Sequence, residues 1–392
     1  MHLCKDFVNF VVSMSENQRI LLLGDYSNCH RSLAAGLRAL GCDVTVASDG
    51  SRWMNCERDI DICRHGDSKL AGLRYWFDIK RLMSSRLRGF DIVAVNDPVF
   101  FQLHPRRLRP LFERLKSQNG SVFLTSMSTD LAYLDMVSAP DCPLRYSEWF
   151  IDGSPSRYHE SEKEQWRGWH NPVLTDYQDY FFDNIDGAVS VLYEYQLGME
   201  RRLGRQKAAY GGLPIQTELF EPVDLAERPE KVKLFLGRDR YRKLMKGSDY
   251  LEEAARRVVE RNPGRAELII VENRPYAEFI ELLKSADVVL DQIYSYTPAT
   301  TALMAMAYGK PVVTGGEPEF YDFIGEHENR PIINAPIDLE ALTQVLEGVV
   351  NHPESLRQLG RRSREFVVKH NDSRVVARRF LDFWNERRAA KS

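Results

Sequence analysis

The sequence lacks several features that would place it in a familiar class at once. Its six cysteines, the last of which is Cys142, include no C-x-x-C pair, which argues against a disulfide framework or a zinc site. Free thiols in a reducing compartment are expected instead. No apolar run approaches the roughly 18 residues of a membrane span, and no Gly-x-Gly-x-x-Gly fingerprint follows the first strand, which disfavours a dinucleotide-dependent dehydrogenase. The net charge of -3 gives no overall field that would attract nucleic acid.

What is present is a chain of 392 residues, enough for two domains or three. Short apolar runs alternate with helical patterns in both halves, and nearly continuous apolar strands are typical of parallel sheets covered on both faces. The predicted strands are 19–23, 43–47, 91–95, 121–124, 187–192, 232–236, 267–271, 288–290, 311–314 and 332–333. The predicted helices include 73–87, 105–115, 247–261, 276–285, 300–308 and 338–351.

The Gly211-Gly212-Leu213-Pro214 element separates the two halves. We expect 14–212 to form an amino-terminal, acceptor-side Rossmann-like domain, with 141–180 as an inserted loop region. Residues 213–365 would form the carboxyl-terminal donor domain, and 366–392 would be closing helices that return to the amino-terminal domain. Residues 1–13 are expected to be a disordered extension or a short edge element. The predicted fold is α/β, with two doubly wound domains facing each other across a ligand-binding cleft.

Two segments of the second half are candidate anion sites. Gly237 and Arg238 directly follow a predicted strand, and Lys246 lies at the start of the next helix. An Arg fork and a Lys point charge suit a diphosphate, although a solvated basic loop is the commoner meaning of such spacing. Thr300 and Thr301 lie in the first turn of another helix, where free amides attract anions. An ordinary N-cap fits that pattern equally well.

Together these segments resemble the carboxyl-terminal domain of GT-B glycosyltransferases of the GT4 type, and the polysaccharide-synthesis enzymes among them. The resemblance rests on Gly237-Arg238, Lys246-Gly247 and the string AMAYGKPV at 305–312. It implies a GT-B fold, a nucleotide diphosphate sugar as donor, and Arg238 and Lys246 as the catalytic groups that neutralise the departing diphosphate. It implies no separate cofactor.

One departure from the family pattern concerns its two glutamates, which fall here at Tyr296 and Met304. Neither carboxylate role carries over, so we expect donor binding to be rewired through other polar groups, Asp291, Gln292, Ser295 or Glu317 among them, or catalysis to be impaired. The nucleobase is expected on the loop that holds Glu272 and Tyr276. The candidate donor-binding residues are Gly237, Tyr276, Asp291, Gln292, Tyr296, Thr300 and Thr301.

Polar residues after the amino-terminal strands are candidates for acceptor binding. Gly24 and Ser27 follow the first strand, and Asp130 follows a later one. Plain turn chemistry at Gly24 and helix capping by Asp130 are the alternatives. His30, on the first helix, is expected to be structural.

The resulting hypothesis is a retaining, metal-independent transfer of a sugar to a hydroxyl of a glycan or lipid-linked acceptor. The one Asp-x-Asp sequence, Asp59-Ile60-Asp61, does not follow a predicted strand. A cytoplasmic protein is expected. The basic residues of 357–391 are expected to form a solvated face on packed helices, and docking at the inner face of an anionic membrane is the alternative. The competing functions are a GT-B hexosamine epimerase and a non-catalytic GT-B-like binding protein, the latter suggested by the missing glutamates.

Overall fold

The computed structural model describes residues 18–51 and 54–391, so the predicted extension 1–13 lies outside the described residues. The chain forms two compact units. The first unit contains the described residues through Met136, then Glu164–Gln216 and the residues from Ser373 onward. The second unit contains Val137–Lys163 and Thr217–Asp372. Residues 137–163, which belong to the amino-terminal half of the sequence, therefore pack with the carboxyl-terminal half.

The strands are short and mostly buried. They are β1 (Arg19–Leu23), β2 (Asp43–Ser48), β3 (Ile60–Asp61), β4 (Ile92–Val95), β5 (Ser121–Ser126), β6 (Phe150–Ile151), β7 (Ser154–Pro155), β8 (Gly187–Ser190), β9 (Ala208–Tyr210), β10 (Val232–Arg238), β11 (Ala266–Glu272), β12 (Val288–Leu290), β13 (Val312–Thr314) and β14 (Ile333–Asn334). Four residues in a row, Ile20 to Leu23, have no exposed surface in β1. Such unbroken burial is what a parallel sheet covered on both faces requires.

The helices follow the strands in alternation. They are α1 (Cys29–Ala39), α2 (Lys69–Ser85), α3 (Pro105–Gln118), α4 (Leu131–Ser138), α5 (Arg157–Ser161), α6 (Lys163–Trp169), α7 (Pro172–Asn184), α8 (Tyr193–Leu203), α9 (Lys243–Lys246), α10 (Ser248–Arg261), α11 (Tyr276–Ser285), α12 (Thr300–Ala307), α13 (Pro318–Phe323), α14 (Leu339–Asn351), α15 (Leu356–Asn371) and α16 (Ser373–Ala389).

Both units are Rossmann-like parallel sheets. In the described part of the first unit the strand order is β3-β2-β1-β4-β5-β8-β9, and in the second it is β11-β10-β12-β13-β14. The strand order reverses between β1 and β4 in the first sheet, and between β10 and β12 in the second. Open α/β sheets bind their ligands beyond the carboxyl ends of the strands at such switch points.

The last two helices belong to different units. α15 lies in the second unit, whereas α16 packs against α1 in the first. Gly36 of α1 makes this contact close, because a Cβ there would lie 2.0 Å from the carbonyl oxygen of Ser373. The apolar side chains Phe366, Phe380 and Trp384 are fully buried. The apolar side of these basic helices is therefore used by the fold itself.

Several elements agree with the sequence prediction to the residue, including β12 and α11. The short strand β9, the helix α8 and the β6-β7 hairpin were not predicted. The region 141–180, expected as an inserted loop, contains that hairpin together with α5, α6 and most of α7.

Candidate functional site

The switch point of the second sheet brings the predicted diphosphate-binding cations to one edge. Arg238 is the last residue of β10, and Asp291 directly follows the neighbouring strand β12. Lys246 ends the short helix α9 and contacts Asp291. Residues 45 positions or more apart in the chain are thus brought together because parallel strands end at the same edge.

Arg238 is held by two carboxylates. Its Nε donates to Oε2 of Glu272 over 2.7 Å, and its Nη1 donates to Oε2 of Glu252. Partial burial would lower the pKa of Arg238, but the hydrogen bonds and charges of these two glutamates outweigh it and raise that pKa. The guanidinium is therefore permanently charged and fixed in orientation at the strand end, where an anion can meet it.

The second cation, Lys246, has a single carboxylate partner. Its Nζ lies 3.2 Å from Oδ1 of Asp291, whose side chain is 2% exposed. The other oxygen of Asp291, Oδ2, is buried and has no hydrogen-bond partner within the described residues. The backbone is tight here, because Gly247 adopts a φ of 66° and a Cβ at this residue would lie 2.3 Å from Ile293. Lys246 and Asp291 thus form one fixed pair beside Arg238.

Tyr296, which stands at one of the missing glutamates, is buried in contact with the 137–163 segment. Its hydroxyl accepts a hydrogen bond of 2.8 Å from the backbone N–H of Arg145, and its ring packs on Tyr146 with centroids 4.9 Å apart. The guanidinium of Arg145 lies 5.7 Å from the centre of each of these rings. The tyrosine therefore binds a segment of its own chain.

Glu317, also at this edge, accepts hydrogen bonds from three different side chains. Oε1 accepts from the hydroxyl of Tyr146 over 2.5 Å and from Nδ2 of Asn334 over 2.8 Å, and Oε2 accepts from Arg145 over 2.6 Å. Burial alone would raise the pKa of Glu317, but these three hydrogen bonds lower it. The 137–163 segment is thus fastened to the very carboxylate that the sequence offered as a replacement for the missing glutamates.

The other predicted donor residues lie around this edge. Tyr276 begins α11, and its hydroxyl donates a hydrogen bond to the sulfur of Met304 over 3.6 Å. Met304, which stands where the family has its second glutamate, therefore contacts Tyr276 through its thioether. Thr300 and Thr301 are half-buried at the start of α12, where the N-cap Ala299 makes no side-chain hydrogen bond. The backbone carbonyl of Gln292 accepts from Thr314 over 3.1 Å. Gly237 faces Phe279, which a Cβ would approach to 2.9 Å.

At the switch point of the first sheet, a cavity opens beyond β1 and β4. It is lined in part by Gly24, Asp25, Asp49 and Asn96. Gly24 has a φ of 81°, and a Cβ there would lie 1.9 Å from Oδ1 of Asn96, so only glycine allows this approach. Ser27, also with positive φ, is exposed in the loop that follows.

Three buried carboxylates of this first edge cap neighbouring backbone or hydroxyl groups. Asp25 accepts from the N–H of His30 over 2.9 Å, Asp97 accepts from Ser128 over 2.6 Å, and Asp130 accepts from the N–H of Tyr133 over 3.0 Å. Burial raises the pKa of Asp25 to about 7, of Asp97 to about 6 and of Asp130 to about 7. Asp130 is 1% exposed, so the geometry fits the capping alternative.

His30 is structural, as expected. Its ring nitrogens contact the carbonyl of Gly24 at 2.6 Å and the hydroxyl of Thr125 at 2.9 Å, and burial lowers its pKa to about 4. Asp59 accepts from the backbone of Val46 over 2.7 Å. Within residues 18–51 and 54–391, no group of three or more His, Cys, Asp or Glu is placed to hold a metal ion. None of the helices described is long and apolar enough to cross a bilayer.

Sequence reasoning missed Glu252, Arg145, Tyr146 and Asn334. Glu252 lies on α10, one turn beyond its start, and its position after the basic loop was the only available signal. Arg145 and Tyr146 contact residues about 150 to 170 positions away. No local pattern reports such contacts.

A family model and several solved structures are similar to this chain. A family model described as "glycosyl transferase-like" matches residues 228–382, which include Arg238, Lys246 and α12. A search of curated proteins found no match. Among solved structures, a sucrose-phosphate synthase from Thermosynechococcus elongatus is 16% identical with a TM-score of 0.58, over 95% of this chain and 100% of its own.

Two further structures share the fold. HepE from Anabaena, solved in complex with UDP-glucose, is 12% identical with a TM-score of 0.55, over 94% of this chain and 100% of its own. A protein described as a UDP-N-acetylglucosamine 2-epimerase, from Listeria monocytogenes, is 12% identical with a TM-score of 0.50, over 93% of this chain and 95% of its own. The chain therefore has the GT-B fold with two Rossmann-like units.

Proposed function

We propose that the protein transfers a sugar from a nucleotide diphosphate sugar to a hydroxyl acceptor. Two findings support this: residues 228–382 match the glycosyl transferase-like family, and the chain has the GT-B fold. The observation that carries this proposal is the placement of Arg238 and Lys246 at the switch point of the second sheet. Sugar–diphosphate cleavage leaves negative charge on the departing diphosphate. Fixed cations aimed at that charge stabilise the transition state without further reorganisation.

The transfer is proposed to be retaining and to use Arg238, Lys246 and the start of α12 to neutralise the diphosphate. Glu252 and Glu272 hold the Arg238 fork in one orientation, which reduces the ordering cost when an anion binds. Gly237, Tyr276, Asp291, Gln292, Tyr296, Thr300 and Thr301 are the proposed donor-binding residues. The structure of HepE with UDP-glucose supports a donor of this class.

The acceptor is proposed to be a glycan or a lipid-linked sugar, as in polysaccharide synthesis. Gly24 and Ser27, beside the cavity at the first switch point, are the proposed acceptor contacts. Asp130, the third candidate, is 1% exposed and caps the N–H of Tyr133, so it is left out of this proposal. We place the protein in the cytoplasm. The basic carboxyl-terminal residues, including the exposed Arg374 and Arg378, are proposed to form a solvated face rather than a membrane contact.

A thermal-shift screen over UDP, GDP, ADP and CMP sugars tests donor binding directly. A donor present at 100 times its dissociation constant should stabilise the protein by about 2.7 kcal/mol. The stabilising donor is then incubated with and without candidate acceptors, and the products are analysed. Formation of a glycosylated acceptor supports the proposal.

The same two measurements separate the competing functions. The fold shared with the Listeria monocytogenes epimerase keeps that activity as a second candidate. Conversion of the nucleotide sugar to an isomer in the absence of any acceptor would identify an epimerase. Absence of stabilisation by every nucleotide sugar would instead favour a non-catalytic binding protein.

A further inference from the structure

The helix α2 carries a cluster of exposed apolar side chains. Seven large hydrophobic residues are exposed in the described part of the chain, and three of them, Leu70, Leu73 and Phe77, lie on this helix. Their exposed fractions are 76%, 46% and 61%. Spacings of three and four residues put them on one face, which we call the apolar stripe.

The apolar stripe is additional to the side of α2 that the core uses. Tyr75, Ile79 and Met83 of the same helix are buried and form part of the core of the first unit. The helix is therefore already anchored. The apolar stripe is a second apolar face that is exposed to solvent, and only contact with a partner would remove it from water.

The surroundings of the apolar stripe are strongly basic. Residues 64–88 contain seven Lys or Arg against two acidic residues, and the adjacent α3 contains five against one. The whole chain, by contrast, has a net charge of -3. The side chains of Arg74 and Arg81 are 88% and 79% exposed, and their nearest carboxylate, Asp78, is 3.9 and 4.0 Å away. These charges are available to an anionic partner.

Trp76 joins the two helices at this surface. The guanidinium of Arg107, on α3, lies 5.0 Å from the centre of its ring, and Nζ of Lys80 lies 5.5 Å away. The indole is partly buried against the core. An amphipathic ring flanked by cations is characteristic of residues at a membrane–water interface.

We propose that α2 and α3 form a docking surface for an anionic lipid membrane. The apolar stripe enters the boundary between headgroups and acyl chains, and the surrounding Lys and Arg meet the lipid phosphates. A second copy of the chain fits less well, since a symmetric contact would place two strongly basic surfaces against each other. The surface differs from the basic helices α15 and α16, whose apolar side chains Phe366 and Trp384 are buried.

The test is sedimentation of the full chain with vesicles, in the absence of any sugar donor. Vesicles of phosphatidylcholine alone are compared with vesicles containing phosphatidylglycerol. The double variant Leu70→Gln/Phe77→Gln removes the stripe, and Leu219→Gln is its matched control, because Leu219 is 61% exposed in the second unit. Arg74→Glu/Arg81→Glu reverses two charges of the surface, and Arg374→Glu/Arg378→Glu does the same on α16.

We expect wild type to bind only the anionic vesicles. Loss of one Lys or Arg contact should lower the partition coefficient about fivefold, so Arg74→Glu/Arg81→Glu should lower it about 25-fold or more. The stripe variant should also release the protein, whereas Leu219→Gln and Arg374→Glu/Arg378→Glu should bind as wild type. Circular dichroism confirms that each variant is folded.

Three results would overturn the proposal. They are absence of wild-type binding to anionic vesicles, binding of both α2 variants at the wild-type level, or a loss seen only with the α16 variant. A dimer in gel filtration that the stripe variant converts to a monomer would instead make this face an interface between copies. Because no donor or acceptor is present, none of these results bears on the sugar transfer proposed above.

Discussion

The carboxyl edges of the two parallel sheets have the same architecture and opposite electrostatics. In the first unit, Asp25, Asp97 and Asp130 are buried against backbone and hydroxyl groups, and their pKa values are raised to about 7, 6 and 7. In the second unit, Glu252 and Glu317 pair with arginines, and their pKa values are lowered. The carboxyl edge of the first sheet thus carries carboxylates that resist ionisation, whereas the carboxyl edge of the second sheet carries carboxylates that are firmly ionised.

The difference supports the proposal that the edge of the second unit binds the diphosphate of the donor. Carboxylates without cationic partners at the first edge serve as caps, and they would repel a diphosphate if ionised. At the second edge Arg238 and Lys246 are held in place by Glu252, Glu272 and Asp291, so charge is concentrated and oriented there. The match to the glycosyl transferase-like family model, residues 228–382, also falls mostly on this second unit.

The largest expected effect comes from removing a cation of the second edge. Arg238→Ala and Lys246→Ala should each reduce turnover about 100- to 1000-fold, since one preorganised group that stabilises a developing anion contributes about 2.7 to 4 kcal/mol. Steady-state rates with the donor found by thermal shift provide the measurement. Arg240→Ala is the matched control, because Arg240 also pairs with Glu272 but is 70% exposed. Wild-type turnover in both Arg238→Ala and Lys246→Ala would remove the distinction between the two edges.

A smaller effect is expected where the 137–163 segment is fastened to the second unit. Glu317→Ala leaves the hydroxyl of Tyr146 and the amide of Asn334 without their acceptor, and should lower the free energy of unfolding by about 1–3 kcal/mol. Urea denaturation measures the change. Glu319→Ala removes an exposed partner of the same Arg145, 3.2 Å away, and should cost no more than about 1 kcal/mol. An equal loss of unfolding free energy in the two variants would mean that the burial of Glu317 does not add to stability.

A further effect, on stability rather than on turnover, is expected at the first edge as the pH changes. The pKa of Asp130 is about 7 in the fold against 3.8 for an ordinary aspartate, so folding favours its protonated form. Its contribution to stability is fully present below about pH 4 and is lost as pH rises through about 7. Asp130→Asn keeps an acceptor for the N–H of Tyr133 without the charge, and should flatten the decline of the unfolding free energy between pH 4 and 7.

Denaturation midpoints at several pH values measure this slope, and the loss avoided is on the order of 1 kcal/mol per unit of pKa shift. Asp67→Asn makes the same change at an exposed residue and should leave the slope as it is. A slope identical to wild type in Asp130→Asn would show that burial does not disfavour the charge at this edge.

The sequence predicted the parts of this comparison that depend on local periodicity. The strand β12 and the helix α11 have the predicted bounds, because apolar runs and helical spacing are local signals. The placement of Arg238 and Lys246 at one sheet edge followed from the resemblance and from the alternation of strands and helices. Their carboxylate partners did not, since Glu252 reaches Arg238 only through the packing of α10 on the sheet.

The contact of Arg145 and Tyr146 with Glu317 was not predictable for the same reason. Hydrogen bonds across 171 and 172 positions leave no trace in the spacing of neighbouring residues. The segment was rich in aromatic residues and irregular, and such composition is typical of a loop. In this segment Trp149 packs on Tyr158, which lies on α5, with ring centroids 4.6 Å apart.

The path of the chain through the two units sets the order in which they can be completed on the ribosome. α1 is among the first helices to be synthesised, yet the helix that covers it, α16, begins at Ser373, and Gln18 near β1 donates to Asn385 over 2.8 Å. α16 is thus synthesised only after residues 217–372 of the second unit, and Tyr146 can contact Glu317 only after 171 further positions have been added. The amino-terminal unit therefore cannot be completed before the second unit has been synthesised, unlike a domain that is continuous in the chain.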